Sequence, residues 1–383
     1  MKKPLHIIAS LNIGGAETML LRLIKHRPDL AKSTIVISLT ENGKIGTTLE
    51  AMGVKVISME MNTWSSTFIT ILKIKRIIQN EKPHIIHTWM YHANILGGIA
   101  AYLAKNKNII WSIRRSEFKR KESFSTFVVM KIGAFFSSII PKVIVHVAEL
   151  GLKNHQEYGY KSSNTLVIPN GFDIEKFKHD SVARKRIRNE LNLTDDHIVI
   201  GCVGRFHESK GYETLISSSI EVLKLHKNVK YLLVGRNLDY QNNTLMEWIN
   251  KTYFSDHFLL AGEQDNVSEY MSAMDIFCLS STTEGFPNVV GEAMASALPC
   301  VVTDVGDVKK IIVNDAILIQ PENKQLLSKG LCEMLNIDNE KRQKIGLKGR
   351  IKIEKEYPIK SICDRYYNLY SLIQLGRNNY EKI

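Results

Sequence analysis

A chain of 383 residues is too long for one compact core, so two domains are expected. Its composition is that of an ordinary globular protein, and no run of about 18 or more apolar residues offers a membrane span. The net charge is +12, and the excess lies in the first half: residues 1–180 carry 25 Lys and Arg against 13 Asp and Glu, whereas residues 181–383 carry 26 of each. A basic half-molecule points to an anionic partner, such as a membrane surface, a phosphate-bearing lipid or nucleic acid. No recognisable nucleic-acid reader motif is present. The five cysteines, Cys202, Cys278, Cys300, Cys332 and Cys363, include no Cys-x-x-Cys pair. They form neither a disulfide framework nor a zinc site, and they fit a reducing cytoplasm.

The chain opens with Lys2 and Lys3 before an apolar run, Leu5 to Leu11, which leads into Asn12 and Gly14-Gly15 rather than a cleavage site. It reads as a buried first strand, not a signal peptide. Further strand-like runs follow at Thr34–Leu39, Val54–Met59, Ile85–Thr88, Ile109–Ile113 and Val143–Val147, with helical patterns between them at Thr18–His26 and Phe68–Gln79. This alternation predicts a parallel sheet with crossover helices. Asp180–Asn189 is dominated by basic residues and has no clear apolar stripe, so it reads as a linker or a solvated helix. A second alternating series has strands at Ile198–Val203, Lys230–Val234, Phe258–Ala261, Ile276–Leu279, Cys300–Thr303 and Ala316–Ile319, with helices at Tyr212–Leu225 and Asn323–Leu335. The tail from Pro358 to Leu375 places Ile362, Tyr366, Leu369 and Ile373 at helical spacing. The fold class is therefore α/β, with two doubly wound domains.

The most informative segment is Thr283-Glu284-Gly285-Phe286-Pro287-Asn288-Val289-Val290-Gly291-Glu292. It reads as a loop running from a strand into a helix. Gly285 allows a tight turn or close approach to a ligand, and Pro287 suits the first helical position. Gly291, Ala293, Ala295 and Ala297 make a thin helix that can pack close to a sheet. Glu284 then lies at the helix mouth and Glu292 about one turn inside. Helix N–H groups favour an anion and carboxylates accept from hydroxyls, so the segment suits a ligand carrying both phosphates and sugar hydroxyls.

This segment resembles the Glu-x7-Glu motif of retaining family 4 glycosyltransferases. Four further stretches agree in kind and order: Gly14-Gly15-Ala16-Glu17, Ile168-Pro169-Asn170-Gly171-Phe172-Asp173, Gly204-Arg205-Phe206-His207-Glu208-Ser209-Lys210-Gly211 and Val302-Thr303-Asp304-Val305-Gly306. The resemblance covers nearly the whole chain. It implies the GT-B fold, two Rossmann-like domains facing across a cleft, here an acceptor-side domain over 1–175 and a nucleotide-sugar-binding domain over 190–357. It also implies that the tail helix, within 358–383, packs back on the first domain.

Transfer from a sugar nucleotide builds negative charge on the leaving phosphate and positive charge on the sugar ring. By resemblance, Arg205 and Lys210 clamp the diphosphate in place of a metal, and Glu284 holds donor-sugar hydroxyls near the reacting carbon. Glu292 takes the ribose hydroxyls, and backbone N–H groups of Phe286, Pro287, Asn288 and Val289 (Pro287 itself offering none) line the donor site with Gly15. No cofactor or metal is implied, and the nucleotide sugar, with UDP favoured, is a substrate. Retention at the anomeric carbon is implied. Either a Glu284 nucleophile or a front-face route, in which the leaving phosphate deprotonates the acceptor, fits these groups.

The first domain departs from the family pattern, because Trp89 stands where many relatives have a histidine. His87 or His92, and then Arg114, are candidates for the sugar or acceptor side. The basic cluster Arg114, Arg115, Lys119, Arg120 and Lys121 precedes an aromatic-rich segment reaching Ile140. It reads either as an interfacial membrane element or as a core helix. Taken together, these features suggest transfer of a hexose or N-acetylhexosamine to a lipid-linked saccharide in surface polysaccharide or O-antigen synthesis, at the inner face of the cytoplasmic membrane. Two other readings share the architecture: a nucleotide-sugar 2-epimerase and a non-catalytic GT-B binding subunit.

Overall fold

The computed structural model describes residues 3–61, 66–116, 124–161, 164–377 and 380. The chain divides into two units, Met1–Gly171 with Ile359–Ile383, and Phe172–Pro358. The first unit has seven strands: β1 (Pro4–Ile8), β2 (Ile35–Ser38), β3 (Lys55–Ser58), β4 (Ile85–Trp89), β5 (Ile109–Ile113), β6 (Val143–His146) and β7 (Thr165–Val167). The second has six: β8 (Ile198–Val203), β9 (Val229–Val234), β10 (Phe258–Gly262), β11 (Ile276–Leu279), β12 (Cys300–Thr303) and β13 (Ile317–Ile319). Both sheets are parallel throughout. Val, Ile and Leu fill most strand positions because a parallel sheet covered on both faces is apolar on both.

The strand orders are β3-β2-β1-β4-β5-β6-β7 and β10-β9-β8-β11-β12-β13. Each order reverses once, between β1 and β4 and between β8 and β11. Connections leave such a switch point toward opposite faces of the sheet and open a crevice at the carboxyl ends of the strands, where ligands bind in folds of this kind.

Of the two readings of Asp180–Asn189, the helix holds: Ser181–Glu190 is a helix, exposed on one side and packed on the second unit on the other. Its apolar stripe is thin, Ala183 and Ile187, because guanidinium contacts do the anchoring. Arg184 Nη2 and Arg188 Nη1 hold the two oxygens of Asp275 at 2.7 and 3.2 Å. Helix Ile359–Gln374 lies in the first unit, with Ile362, Tyr366, Tyr370 and Ile373 buried. Tyr367 there donates to Leu23 O at 3.0 Å, and Arg365 donates to Val167 O at 2.9 Å.

The first unit buries His6, His87, His146 and His155. Burial pushes His6 and His146 down to about 3 and His155 down to about 4, and it also lowers His87. These groups are neutral when folded but take up protons below about pH 6.5 when unfolded. The unfolded state therefore binds more protons as pH falls from about 6.5 toward 4, and stability falls with it. Between pH 7.5 and 5.5, where ordinary carboxylates stay ionised, His6, His146 and His155 should each remove roughly 1.4 kcal/mol of stability. Urea unfolding followed by Trp89 and Trp111 fluorescence checks this. A midpoint that does not move over that range contradicts the burial of neutral imidazoles.

Candidate functional site

The site is built at the switch point of the second unit, where the loops after β8 and β11 meet. The first loop, Gly204–Gly211, is stiffened locally. Tyr212 donates to Gly204 O at 3.0 Å, and Phe206 packs against Tyr212 and Trp248. His207 caps a 3₁₀ turn, Glu208–Lys210, by accepting from Ser209 N. Gly211 then takes a left-handed conformation, φ 62°, and a Cβ there would lie 2.0 Å from Ser280 O. Only glycine lets the two loops approach this closely.

Hydrogen bonds tie the loops together. Ser280 Oγ donates to Lys210 O at 2.9 Å, and Thr282 N donates to Ser209 O at 2.9 Å. Thr303 Oγ1 on β12 donates to Ser281 O at 2.7 Å. The result is a charged pair at the carboxyl edge of the sheet: Lys210 Nζ lies 2.6 Å from Glu284 Oε1, which also accepts from Ser281 Oγ at 2.7 Å. Both side chains are largely shielded, 21% and 13% exposed. Arg205, on the same loop as Lys210, is exposed and makes no hydrogen bond or ion pair with any described residue.

Beyond Glu284 the chain turns at Gly285 and enters helix Asn288–Ala295. Pro287 is its N-cap rather than its first helical residue, and makes no side-chain capping hydrogen bond. The start of the helix therefore directs N–H groups and the positive end of its dipole at the site with no side-chain cap at its N-cap. Phe286 and Pro287 are buried, Asn288 and Val289 are half-buried, and Glu292 lies half-buried one turn in. Phe286 stacks on Phe172, with ring centroids 6.1 Å apart. Gly291 lets Phe172 press against the helix, since a Cβ would lie 2.0 Å from Phe172 Cζ. On the far side Gly306, φ 57°, lets the loop after β12 pass Gly285 O, 2.5 Å from where a Cβ would stand.

In the first unit, Gly15 opens helix Gly15–His26 just after β1. Two residues on, Glu17 accepts from Ser10 Oγ at 3.4 Å, and burial raises its pKa above the ordinary carboxylate value. His92 sits in the first turn of helix Tyr91–Leu103 after β4, half-buried, with burial lowering its pKa. His87 is fully buried instead. Its Nδ1 pairs with Tyr370 OH at 2.6 Å and its Nε2 with Ser112 Oγ at 2.8 Å, so both ring nitrogens are engaged inside the fold. Trp89 is also buried, stacked on His87 at 4.3 Å. Arg114 follows β5. Its guanidinium lies 5.4 Å over the Trp89 ring, and Nη1 donates to Tyr366 OH at 2.9 Å. The positions expected on the acceptor side thus stand at the ends of neighbouring strands, but Arg114 is turned inward. Lys119, Arg120 and Lys121 lie outside the described residues.

Two residues with local roles were not singled out from the sequence. Ser281 orients Glu284, and only its place in the lead-in Ser280-Ser281-Thr282 marks it. Glu17 closes the Gly14–Glu17 motif, and its acid character beside a glycine turn was the available signal.

Comparison with known proteins decides the family. Residues 13–176 match the model described as Glycosyltransferase Family 4, and residues 183–352 match Glycosyl transferases group 1. The chain belongs to glycosyltransferase family 4. This enzyme is 26% identical over 315 residues to a capsular polysaccharide biosynthesis glycosyltransferase, CapM, of Staphylococcus aureus, covering 79% of this chain and 80% of the relative. It is 25% identical over 258 residues to the Escherichia coli UDP-Gal:alpha-D-GlcNAc-diphosphoundecaprenol alpha-1,3-galactosyltransferase, covering 64% of each. Among solved structures, Anabaena HepE in complex with UDP matches with a TM-score of 0.85 at 20% identity, covering 96% of this chain and 99% of that one. The fold of this glycosyltransferase is GT-B.

Proposed function

We propose that this glycosyltransferase moves a hexose or N-acetylhexosamine from a UDP-sugar to a lipid-linked saccharide, with retention, in the synthesis of a surface polysaccharide. The observation that carries the donor side is the cluster at the second unit's switch point. Exposed Arg205, paired Lys210 and the start of helix Asn288–Ala295 make one positive edge beside two acids. The fold match to HepE with UDP bound supports a uridine nucleotide. The relative acting on a diphosphoundecaprenol-linked sugar supports the acceptor class.

In this reading Arg205 and Lys210 take the diphosphate and stabilise the charge that grows on it as the glycosidic bond breaks. Lys210 is held by Glu284 before the donor arrives, so the cation is positioned without a free charge left in a half-buried site. Glu284, fixed by Lys210 and Ser281 through one oxygen, keeps its other oxygen for donor-sugar hydroxyls. A carboxylate held this way is a weak nucleophile, which favours the front-face route: the leaving phosphate accepts the acceptor's proton as the new bond forms on the same face. Glu292 is assigned to the ribose, and His92, neutral at pH 7, to the sugar or acceptor. No metal is assigned, because the two cations and the helix start supply the positive field.

The surface of the first unit supports the proposal of membrane association. Three neighbouring helices on one face of its sheet, Thr67–Glu81, Tyr91–Leu103 and Phe124–Phe136, expose Phe68, Ile69, Leu72, Tyr102, Phe127 and Phe135. Exposed Lys73, Arg76, Lys105 and Lys131 are interspersed with them. Val129 and Met130 of the third helix face the core, so that helix is at once a core element and an apolar surface. No helix among the described residues is long and apolar enough to cross a membrane. An anionic bilayer attracts each such cation by about 1 kcal/mol, within a screening length of roughly 8–10 Å.

Arg205→Ala and Lys210→Ala should each lower transfer from a UDP-sugar by roughly 100–1,000-fold, with transfer by the parent enzyme persisting in excess chelator. Near-normal turnover in both variants, or complete loss on chelation with rescue by manganese, overturns the clamp. For the membrane, the enzyme should pellet with anionic vesicles at low salt and be released at high salt. Changing Lys119, Arg120 and Lys121 to Glu should reduce pelleting and transfer to a lipid-linked acceptor. Equal binding to neutral vesicles, or none to either, removes the electrostatic explanation.

A further inference from the structure

A cavity of about 700 Å³ opens in the second unit at the end of the sheet opposite the donor cluster. Ile198 is the first residue of β8, Asp275 precedes β11 and Pro299 precedes β12, and all three line it. The cavity therefore lies at the amino ends of the strands whose carboxyl ends carry Lys210 and Glu284, about 20 Å away along the strands. Its volume is that of a small-molecule site.

One wall is the first turn of helix Asn339–Glu356, where Asn339, Arg342 and Gln343 share a face. Arg342 is only 8% exposed. Its Nη1 donates to Leu335 O at 3.0 Å and to Ile337 O, its Nε is buried with no partner, and its Nη2 donates to no described residue. A guanidinium brings five N–H donors, and leaving them unmet in a buried site is costly. Nothing among the described residues pairs this cation with a carboxylate. Asp275, on the opposite wall, is consumed by Arg184, Arg188 and Val199 N.

The remaining lining suits a polar, hydroxyl-bearing body. His197 Nδ1 accepts from Thr194 N at 3.0 Å, so its proton sits on Nε2, a donor with no described partner. The Asn339 and Gln343 amides offer both donors and acceptors. Met274, Leu298 and Pro299 give an apolar surface on which a sugar ring can rest.

We propose that this cavity is a second binding site, for a sugar phosphate, with the phosphate on Arg342 Nη2 and the sugar hydroxyls on the amides and His197. The inference is independent of the donor reading, because no residue of the cavity belongs to the donor cluster.

Titration of the full-length protein with glucose 6-phosphate, glucose and inorganic phosphate, by calorimetry, tests it. Glucose 6-phosphate should bind saturably, and more tightly than either control. Gln343→Glu, at an exposed position where folding is not at risk, should weaken it about tenfold or more. Arg342→Gln should do the same, with circular dichroism to check its fold. Lys210→Ala should leave it unchanged. No saturable binding up to roughly 10 mM, equal binding of inorganic phosphate, or loss in Lys210→Ala with retention in Gln343→Glu would each overturn the proposal.

Discussion

The second unit is organised around one constraint: the loops after β8 and β11 must meet at a switch point whose connections diverge. Neighbouring parallel strands there send their chains to opposite faces, so nothing in the sheet itself holds the two loops together. The Lys210–Glu284 ion pair, backed by Ser280, Ser281 and Thr282, provides that tie. It requires Gly211, because any side chain there meets Ser280 O. It also fixes what each group can do. A lysine already paired can be shared with an arriving phosphate, and a carboxylate already holding a lysine is better suited to binding hydroxyls than to attacking carbon. Arg205, with no described partner, is the cation left open to solvent.

The first unit follows a different logic. His6, His87, Trp89, Tyr366 and Tyr370 form a buried aromatic group that joins β1 and β4 to helix Ile359–Gln374. Arg114 closes that group from the end of β5 by lying over Trp89 and bonding Tyr366. Trp89 fills the end of β4 with a large buried ring, and half-buried His92 follows in the first turn of the next helix.

Much of this was legible in the sequence, for identifiable reasons. The buried parallel strands read as apolar runs because both of their faces are covered, and twelve of the thirteen were found nearly in place. The first was drawn too long because Leu11 is buried in a loop beyond the strand, and burial alone looks like strand. The missed strand, Thr165–Val167, is three residues long and only half-buried at a sheet edge, so it carries no run to detect. Asp180–Asn189 reads as a linker or a solvated helix, and the helix is present; what the pattern does not show is its anchoring, because arginines tie it to Asp275 and hydrophobic periodicity does not register them. At the site, residue types and spacing singled out Lys210 and Glu284, but not that they would be bonded to one another. A contact 74 residues apart in sequence depends on β8 and β11 being neighbours, and strand order is not written in any local pattern.

The division of roles between the two acids is the most direct test of the proposed donor site, read out by calorimetric titration of free UDP into Glu292→Gln and Glu284→Gln. Losing a hydrogen bond to a charged group costs about 1.5–3 kcal/mol, so Glu292→Gln should weaken UDP binding roughly tenfold or more. Glu284→Gln should bind UDP as well as the parent or better, because Lys210 is released to the diphosphate, while transfer of the sugar is impaired. Equal weakening of UDP binding in the two variants would contradict the assignment of ribose to Glu292 and donor sugar to Glu284.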